Sequence, residues 1–267
     1  MLTTELIQSV LREVPLISTV EHYASIGSTN DRARELAQAN AAEIAVVSAD
    51  EQIAGRGRQN RAWFTPPGTA LAISLLTRPS IAPQHAMRLT MLAGLAAVEG
   101  IERATGLRLD LKWPNDVVVL QPSAFSPQPL KVGGILTEAS FQGDAIDHAV
   151  VGLGLNVNVD FADNAELRFI ATSLKTLSGN PIDRAVVLKE IIAAFVERYR
   201  WLHDGDRLRT AWASRLINLG RDIRVQLGDE VLEGRSEGVD ADGALLLRTH
   251  DGQLHRLLSG DVTLHTL

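Results

Sequence analysis

The chain of 267 residues carries 32 acidic and 26 basic side chains, no cysteine, and 45% hydrophobic residues. This length and composition are typical of a globular protein with a substantial core, and the lack of cysteine excludes disulfides, thiolate metal sites and thiol nucleophiles. The net charge of −6 argues against general nucleic-acid binding. No apolar run reaches the roughly 18 residues of a membrane span, and the start lacks the basic segment of a signal peptide. We therefore predict a cytoplasmic protein that binds neither membranes nor DNA.

Hydrophobic periodicity predicts alternating helices and strands in the first part of the chain. A short helix at 6–11 is closed by Pro15, a strand follows at 16–26, and a second helix starts after Ser28. Ser28 and Asp31 have the spacing of a capping box. Further strands are predicted at 44–49, 70–76, 107–112 and 117–120, and a long helix at 83–105, from Pro83 to the residue before Gly106.

The second part of the chain begins with a proline-rich stretch at 121–130, which we predict to be a mobile insertion. Strands at 131–139 and 148–158 are followed by a helix at 183–203, capped by Asp183, and another at 206–216. Five short strands with two Asp-Gly turns are predicted at 221–227, 230–238, 244–249, 253–258 and 261–265. The expected fold is α+β: a mixed β-sheet with flanking helices at 1–218 and a small β-barrel at 219–267.

A long polar loop at residues 50–69, called the arginine loop below, contains the densest group of candidate ligand-binding residues. Between Gln52 and Trp63 it alternates glycine with arginine, at Gly55, Arg56, Gly57, Arg58 and Arg61. Glycine lets backbone N–H groups approach an anion, arginine binds phosphate or carboxylate with two donors, and tryptophan can stack on a ring. Charge alone is equally consistent with a solvated basic loop, but the glycine spacing and the length favour a ligand-binding loop.

Several familiar site motifs do not fit. Gly55-Arg56-Gly57 begins a dinucleotide fingerprint, but position 60 is Asn and the following sequence cannot open the required helix. No Walker sequence, nucleophile elbow, paired-carboxylate motif or metal-binding histidine spacing is present. The remaining candidates are arginine, lysine, amide and glycine residues. They suit positioning and charge stabilisation at a phosphorus or carboxyl centre better than protease-type hydrolysis.

Three later segments add candidate residues. Lys112-Trp113-Pro114-Asn115-Asp116 is a strand end followed by a rigid turn, and Lys131-Val132-Gly133-Gly134 places a lysine at the entrance of an apolar strand. The third segment runs from Gly152 through Gly154 to Asn156. The ordinary explanations are a plain turn for the first segment, an exposed lysine for the second and a β-bulge for the third. Glycines within strands also permit close approach of a ligand.

Taken in order, these segments resemble the site motifs of the biotin protein ligases, as do Ser28-Thr29-Asn30 and Ala171-Thr172-Ser173-Leu174. The resemblance implies the class II synthetase-like biotin/lipoate ligase fold, with a C-terminal SH3-like barrel. It also implies that biotin attacks the α-phosphate of ATP, giving biotinyl-5′-AMP. A lysine of a biotin carboxyl carrier protein, from acetyl-CoA carboxylase or a related carboxylase, would then take the biotinyl group. All nucleophiles would belong to the substrates.

The resemblance also implies roles for individual residues. It assigns biotin binding to Ser28, Thr29, Asn30, Gln52, Gly55, Arg56, Gly57, Arg58, Lys131, Gly133 and Gly152, of which the first four hold the ureido end. It assigns ATP or adenylate binding to Arg58, Arg61, Trp63, Lys112, Asn115, Asp116, Lys131 and Asn156. Lys131, Arg56 and Arg58 are the implied catalytic group, and Asp116 is a candidate ligand for the Mg²⁺ that accompanies ATP. Asn60 stands where the family usually has glycine, and asparagine tolerates a positive φ.

Two alternatives stay open from the sequence. A lipoate protein ligase is similar in fold and chemistry, although the arginine loop and the C-terminal barrel favour biotin. A non-enzymatic regulatory module that binds phosphate or a nucleotide is the alternative from another class. The N-terminal helix is too short for a helix-turn-helix domain, so the resemblance is to the monofunctional type without operator binding. Family members often dimerise through an edge of the catalytic sheet, so a homodimer is an open option.

Overall fold

The computed structural model describes residues 2–120 and 128–264, so most of the predicted insertion at 121–130 lies outside the described residues. The helices are α1 (Thr4–Leu11), α2 (Thr29–Gln38), α3 (Met87–Thr105), α4 (Leu174–Ser178), α5 (Arg184–Arg198) and α6 (Gly205–Ala213). The strands are β1 (Thr19–Tyr23), β2 (Ala45–Ala49), β3 (Leu71–Thr77), β4 (Asp110–Lys112), β5 (Asp116–Val119), β6 (Leu130–Gln142), β7 (Ala145–Leu155), β8 (Asp222–Leu227), β9 (Glu230–Val239), β10 (Leu245–Thr249), β11 (Leu254–Leu257) and β12 (Asp261–Leu264). Within the described ranges, no helix is both long enough and apolar enough to cross a bilayer.

Seven strands form one sheet in the order β1-β2-β3-β7-β6-β5-β4. β1 and β2 are parallel and the other neighbours are antiparallel, which confirms the predicted mixed sheet. In the hairpin of β6 and β7, Gly134 lies opposite Gly154 and Leu136 opposite Gly152. Across the other edge of β7, Ser74 lies opposite Gly152. Opposed residues share a face of an antiparallel sheet, so these positions form one continuous floor.

The two faces of this sheet are covered differently. On one face α3 packs against α5, and the main core includes Ile73 and Leu75 of β3. Because side chains alternate along a strand, the intervening residues point to the other face, which α2 covers. The small cluster beneath α2 consists of Ala33, Leu36, Ala37, Ala45, Val47, Leu76 and Val150. The helical period of these apolar residues places Thr29 and Asn30 on the same buried side, against the sheet floor.

The five C-terminal strands form an antiparallel sheet in the order β11-β10-β9-β8-β12, in agreement with the predicted SH3-like module. Gly243 and Gly252 have φ values of +81° and +86°, which confirms both predicted Asp-Gly turns. Trp113 is fully buried, and its indole N–H donates to the carbonyl of Gly243 at 2.9 Å. Its backbone N–H donates to Asn218 Oδ1 at 3.0 Å. Trp113 therefore ties the β4–β5 turn to the start of the C-terminal sheet.

Of two expectations near the N-terminus, one is confirmed and one is wrong. α1 ends at Leu11, where the predicted helical spacing also ends. Ser28 precedes α2 as predicted, but its side chain makes no capping hydrogen bond, so the capping box is absent. Asp31 is instead held by two arginines, because charge-assisted hydrogen bonds to a carboxylate are stronger than a neutral cap.

Two further local features differ from the prediction. α4 was not predicted, although Ser173 caps it by accepting a hydrogen bond from the Thr176 N–H, as serine commonly does. Among the non-glycine residues of the arginine loop, the positive φ is at Gln59, at +55°, and not at Asn60. The loop therefore makes its turn one residue earlier than expected.

Candidate active site

A cavity of about 590 Å³ lies beside α2, over the floor formed by β3, β7 and β6. All of the sequence motifs singled out above contribute to its wall. The predicted residues that line it are Ser28, Thr29, Asn30, Gln52, Arg56, Gly57, Arg58, Arg61, Trp63, Lys112, Asn115, Asp116, Lys131, Gly152 and Asn156. Gly55 and Gly133 do not line it. A Cβ at either would lie 2.8 Å from a backbone carbonyl oxygen, so these two glycines permit close backbone packing.

One end of the cavity, called the neutral end, is lined by Thr29, Asn30 and Gln52, and Ser74 lies behind them. Gln52 Oε1 accepts hydrogen bonds from the backbone N–H of Thr29 at 2.9 Å and from its hydroxyl at 3.1 Å. The fully buried Ser74 hydroxyl lies 2.8 Å from Thr29 Oγ1 and 2.6 Å from Asn30 Oδ1. These groups supply donors and acceptors without any formal charge.

Gly152 leaves the space that Asn30 occupies. A Cβ on residue 152 would lie 2.3 Å from Asn30 Oδ1, far inside contact distance. The amide of Asn30 is held from its other side by Glu138, whose Oε2 accepts from Nδ2 at 2.6 Å. The neutral end therefore requires a residue without a side chain at position 152.

The arginine loop folds back on itself as a narrow hairpin at the rim of the cavity. The Trp63 N–H donates to the Gly55 carbonyl at 2.9 Å, and the Gly57 N–H donates to the Arg61 carbonyl at 2.7 Å. The start of the loop runs beside the segment before α2, where the Ile53 N–H donates to a carbonyl at 2.9 Å. Backbone hydrogen bonds thus hold the arginine side chains in defined positions.

The arginines of this loop have different partners. Arg56 binds Asp31 with two hydrogen bonds, of 2.8 and 2.6 Å, and this contact holds the pKa of the Asp31 carboxyl below its usual value. Arg58 donates to Asn115 Oδ1 at 3.2 Å and to the carbonyl of Gly260 at 3.3 Å. Burial lowers the pKa of the Arg58 guanidinium. Arg56 is thus anchored to α2, whereas Arg58 spans the cavity towards the β4–β5 turn.

The C-terminal sheet contributes to the cavity wall, which sequence reasoning did not predict. Arg61 of the arginine loop pairs with Asp261 at the start of β12. Asp261, Val262 and Thr263 also line the cavity. Asp261 partly balances the charge of the arginine loop.

The opposite end of the cavity, called the charged end, consists of Arg58, Lys112, Asp116 and Lys131. Lys131 Nζ lies 2.6 Å from Asp116 Oδ1 and 5.4 Å from the centroid of the Trp63 ring. Lys112 lies directly opposite Asp116 across the β4–β5 hairpin. The Lys112 ammonium group makes no ion pair or hydrogen bond with any described residue, and burial lowers its pKa. This end thus gathers positive charge in partly desolvated surroundings.

Trp63 and Asn156 border the charged end. A Cβ at Gly154 would lie 2.3 Å from Trp63 Nε1, so the indole packs directly on this glycine. The buried Nε1–H of Trp63 has no hydrogen-bond partner among the described protein atoms. Asn156 donates to the carbonyl of Thr172 at 3.1 Å, which fixes the segment that precedes α4. Both side chains line the cavity.

Four residues of the site region were missed by sequence reasoning: Ser74, Asp31, Glu138 and Asp261. Ser74 had a usable signal, because it is the one polar residue within the apolar run that precedes Thr77 at the end of β3. Asp31 and Glu138 gave no signal, since their roles depend on how α2 lies over β6. In the described ranges, no group of three or more His, Asp or Glu side chains could hold a metal ion.

The chain matches two protein-family models. The model described as the biotin/lipoate A/B protein ligase family matches residues 23–156, and the model of the biotin protein ligase C-terminal domain matches residues 219–264. The bifunctional ligase/repressor BirA of Bacillus subtilis is 38% identical over 244 residues, which cover 90% of this chain and 72% of that protein. The biotin–acetyl-CoA-carboxylase ligase of Paracoccus denitrificans is 34% identical over 240 residues, which cover 86% and 94% of the two chains.

The solved structures include a biotin protein ligase from Aquifex aeolicus in complex with biotin and ATP. It superposes with a TM-score of 0.73 at 27% identity, covering 94% of this chain and 99% of that one. The first family model covers β2 to β7, and the second covers β8 to β12. The chain therefore belongs to the biotin/lipoate A/B protein ligase family and, with its C-terminal segment also matched, to the biotin protein ligases within it.

Proposed function

We propose that this chain is an ATP-dependent ligase that forms biotinyl-5′-AMP and transfers the biotinyl group to a lysine of a biotin carboxyl carrier protein. The observation that carries this proposal is a single cavity that joins a neutral hydrogen-bonding end to a cationic end. Biotin has the matching polarity, since its ureido ring is neutral and its carboxylate is charged. The similarity to a ligase solved with biotin and ATP supports the same assignment.

The neutral end is where the ureido ring would bind. A buried ureido group needs an acceptor for each N–H and donors for its carbonyl, and a site that leaves any of them unpaired loses affinity. Ser28, Thr29, Asn30 and Gln52 offer hydroxyl and amide groups that can serve both needs, and all four line the cavity. The hydrogen bonds among Thr29, Asn30, Gln52 and Ser74 would hold these groups in place before biotin arrives.

The charged end is where the first step would occur. A carboxylate oxygen of biotin attacks the α-phosphorus of ATP, the bond from that phosphorus to the bridging oxygen breaks, and pyrophosphate leaves. Negative charge accumulates on the α-phosphate oxygens in the transition state. Lys131, Lys112 and Arg58 are partly desolvated cations that line the cavity here, and such groups stabilise developing charge strongly. Trp63 and Asn156 would flank the adenylate.

The second step requires no nucleophile from this chain. The neutral amine of the carrier lysine attacks the acyl carbon of biotinyl-AMP, an amide forms, and the bond to the AMP oxygen breaks. The amine proton passes to solvent. Positioning by the arginine loop and retention of the adenylate until the carrier arrives are the contributions left to the protein.

Magnesium fits this site as a companion of ATP. The Asp116 carboxylate lines the cavity and is a candidate ligand, but its Oδ1 is already paired with Lys131 at 2.6 Å. We propose that the substrate phosphates and water hold Mg²⁺, which usually keeps several water ligands. When bound, the ion would neutralise charge on the phosphates, and Asp116 would orient Lys131.

Several finer assignments belong to the same proposal. The division into a catalytic domain at 1–218 and an SH3-like domain at 219–267 is supported by the change from a mixed sheet to a separate antiparallel one. Dimerisation through an edge of the larger sheet would use β1 or β4, which lie at its two edges. The net charge of −6 supports an absence of DNA binding, and the lack of cysteine supports a cytoplasmic location.

Transfer of labelled biotin to a purified carrier domain, with ATP and Mg²⁺, tests the proposal. We expect transfer that depends on ATP and on the acceptor lysine. Pyrophosphate exchange into ATP, run with biotin and with lipoate, separates the two ligase activities, and we expect exchange with biotin. ATP binding without exchange or transfer would favour the non-enzymatic alternative. Exchange that depends on lipoate would point to the other ligase, which the match at 219–264 disfavours.

A further inference from the structure

We propose that Glu138, Arg34 and Asp31 are positioning residues that couple the neutral end of the cavity to closure of the arginine loop. None of these three side chains is part of the cavity wall, whereas Asn30 and Arg56, the two residues they connect, both are. The inference rests on the proposed biotin site, since the coupling would act on a ligand bound there. It gives a task to three charged residues that the two-step reaction leaves unused.

The connection begins at Asn30. Its Nδ2 donates to Glu138 Oε2 at 2.6 Å, while its Oδ1 faces the Ser74 hydroxyl at 2.6 Å. The other carboxylate oxygen of Glu138 accepts from Arg34 Nη2 at 2.9 Å. Glu138 therefore fixes which side of the Asn30 amide faces Ser74 and, at the same time, holds Arg34.

The connection continues from α2 to the arginine loop. Arg34 Nη1 donates to Asp31 Oδ1 at 2.8 Å, one helical turn away. Both oxygens of Asp31 accept from Arg56, at 2.8 and 2.6 Å. Two carboxylates and two guanidiniums thus alternate without a gap, so each charge has a neighbour of opposite sign. Removal of any one of them leaves its neighbour unbalanced.

The placement of this network indicates a functional task and not a large contribution to stability. The side chains of Asp31, Arg34, Arg56 and Glu138 are between 33% and 38% exposed, and partly exposed ion pairs contribute little to the free energy of unfolding. Their geometry, however, links two groups that must act together on one ligand. Arg56 directs both of its Nη groups to Asp31, so it would hold the loop over the ligand.

The test measures how fast preformed, radiolabelled biotinyl-AMP leaves the enzyme when no carrier is present. Arg34→Ala and Glu138→Gln each break the bridge between Glu138 and Arg34, whereas the glutamine keeps an oxygen for Asn30. We expect each variant to release the adenylate about tenfold faster than wild type, a typical coupling between contacting residues. The single-turnover rate of adenylate formation should change by less than about threefold, because the groups that stabilise charge are untouched.

Arg32→Ala is the matched control. Arg32 lies on the same helix and pairs with Glu21 and Glu35, but it contacts neither Glu138 nor Asp31. We expect it to release the adenylate at the wild-type rate. Thermal denaturation of all variants checks that they fold.

The double variant Arg34→Ala/Glu138→Gln tests whether the two residues act as one connection. Because both substitutions break the same bridge, we expect release about as fast as from either single variant. The coupling would be wrong if both single variants released the adenylate at the wild-type rate. It would also be wrong if Arg32→Ala, through a loss of stability, released the adenylate as fast as they do, or if the two effects multiplied in the double variant. A wild-type enzyme that forms no biotinyl-AMP would instead overturn the proposed function, and the coupling with it.

Discussion

At the neutral end of the cavity the polar side chains already have protein partners, whereas at the charged end Lys112 has none among the described residues. The neutral end is closed by Ser74 and Gly152, both buried in the sheet. The charged end lies where the arginine loop, the β4–β5 turn and β12 meet. The shape of the neutral end therefore depends on the register of the sheet. The charged end depends on side chains from segments that are distant in sequence.

This difference indicates a division of tasks. Hydrogen-bonding groups that protein partners hold in position discriminate well, because a ligand that mismatches them leaves buried polar atoms unsatisfied. Partly desolvated cations discriminate poorly between anions but stabilise charge that develops during a reaction. We therefore expect substitutions at the neutral end to change biotin affinity, and substitutions at the charged end to change the rate of the chemical step.

The largest expected effect is at the charged end. Lys131→Ala removes the ammonium group beside Asp116 and should slow adenylate formation by about 10²–10³-fold, as for loss of one charge-stabilising donor. Single-turnover formation of biotinyl-AMP measures this. Lys189→Ala is the control, since Lys189 lies outside the cavity wall on α5. A rate for Lys131→Ala within about threefold of wild type would remove Lys131 from the catalytic group.

A glycine substitution tests the neutral end. Gly152→Ala would place a Cβ 2.3 Å from Asn30 Oδ1 and displace that amide. Loss of its hydrogen bonds should raise the Kd for biotin by about 10- to 100-fold. Gly238→Ala is the matched control, because a Cβ at this strand glycine would meet nothing within 4 Å. Equal biotin affinity in the two variants would show that the tight fit at Gly152 is irrelevant to binding.

Arg58 tests the link between the arginine loop and the charged end. Arg58→Gly removes the hydrogen bonds to Asn115 and to the Gly260 carbonyl, so the loop should close less firmly. We expect biotinyl-AMP to dissociate about tenfold faster, measured by release of radiolabel. Arg58→Gln keeps a hydrogen-bond donor but removes the positive charge. This variant therefore separates the effect of the hydrogen bonds from the effect of the charge. Unchanged retention of the adenylate in Arg58→Gly would contradict the tethering role.

The smallest expected effect concerns Lys112, where function and stability should move in opposite directions. Burial lowers the pKa of Lys112 in the folded state, so the unfolded chain binds its proton more tightly. The charged Lys112 therefore lowers the free energy of unfolding at neutral pH. This destabilisation decreases as the pH rises towards the pKa that Lys112 has in the unfolded chain. Lys112→Met should therefore raise the melting temperature at pH 7, while the KM for ATP increases roughly three- to tenfold. A lower melting temperature with an unchanged KM would contradict both expectations.

Sequence patterns predicted much of the architecture because the relevant signals are local. Gly106 ends α3 with a φ of +73°, and Asp183 caps α5 by accepting from two backbone N–H groups. These features depend on a few adjacent residues, so they can be read directly from the chain. The ordered motifs likewise led to the cavity, since each predicted segment contributes to its wall.

The remaining features depend on contacts between distant segments. Arg58 bonds to Gly260 and Arg61 pairs with Asp261, across about 200 residues of sequence, and nothing in either segment alone predicts the meeting. The contacts of Glu138 depend on the position of β6 in the sheet, which places Glu138 beside α2. Ser28 and Asp31 have the local pattern of a helix cap, but in the structure Asp31 binds arginine side chains and no side-chain cap forms at Ser28.

Biotin-dependent pyrophosphate exchange, compared for Gly152→Ala and Lys131→Ala, tests the division between the two ends most directly. We expect Gly152→Ala to raise the KM for biotin with little change in kcat. We expect Lys131→Ala to lower kcat with little change in that KM. If both variants altered the same parameter to a similar extent, the cavity would act as a single unit and the separation of recognition from activation would be wrong.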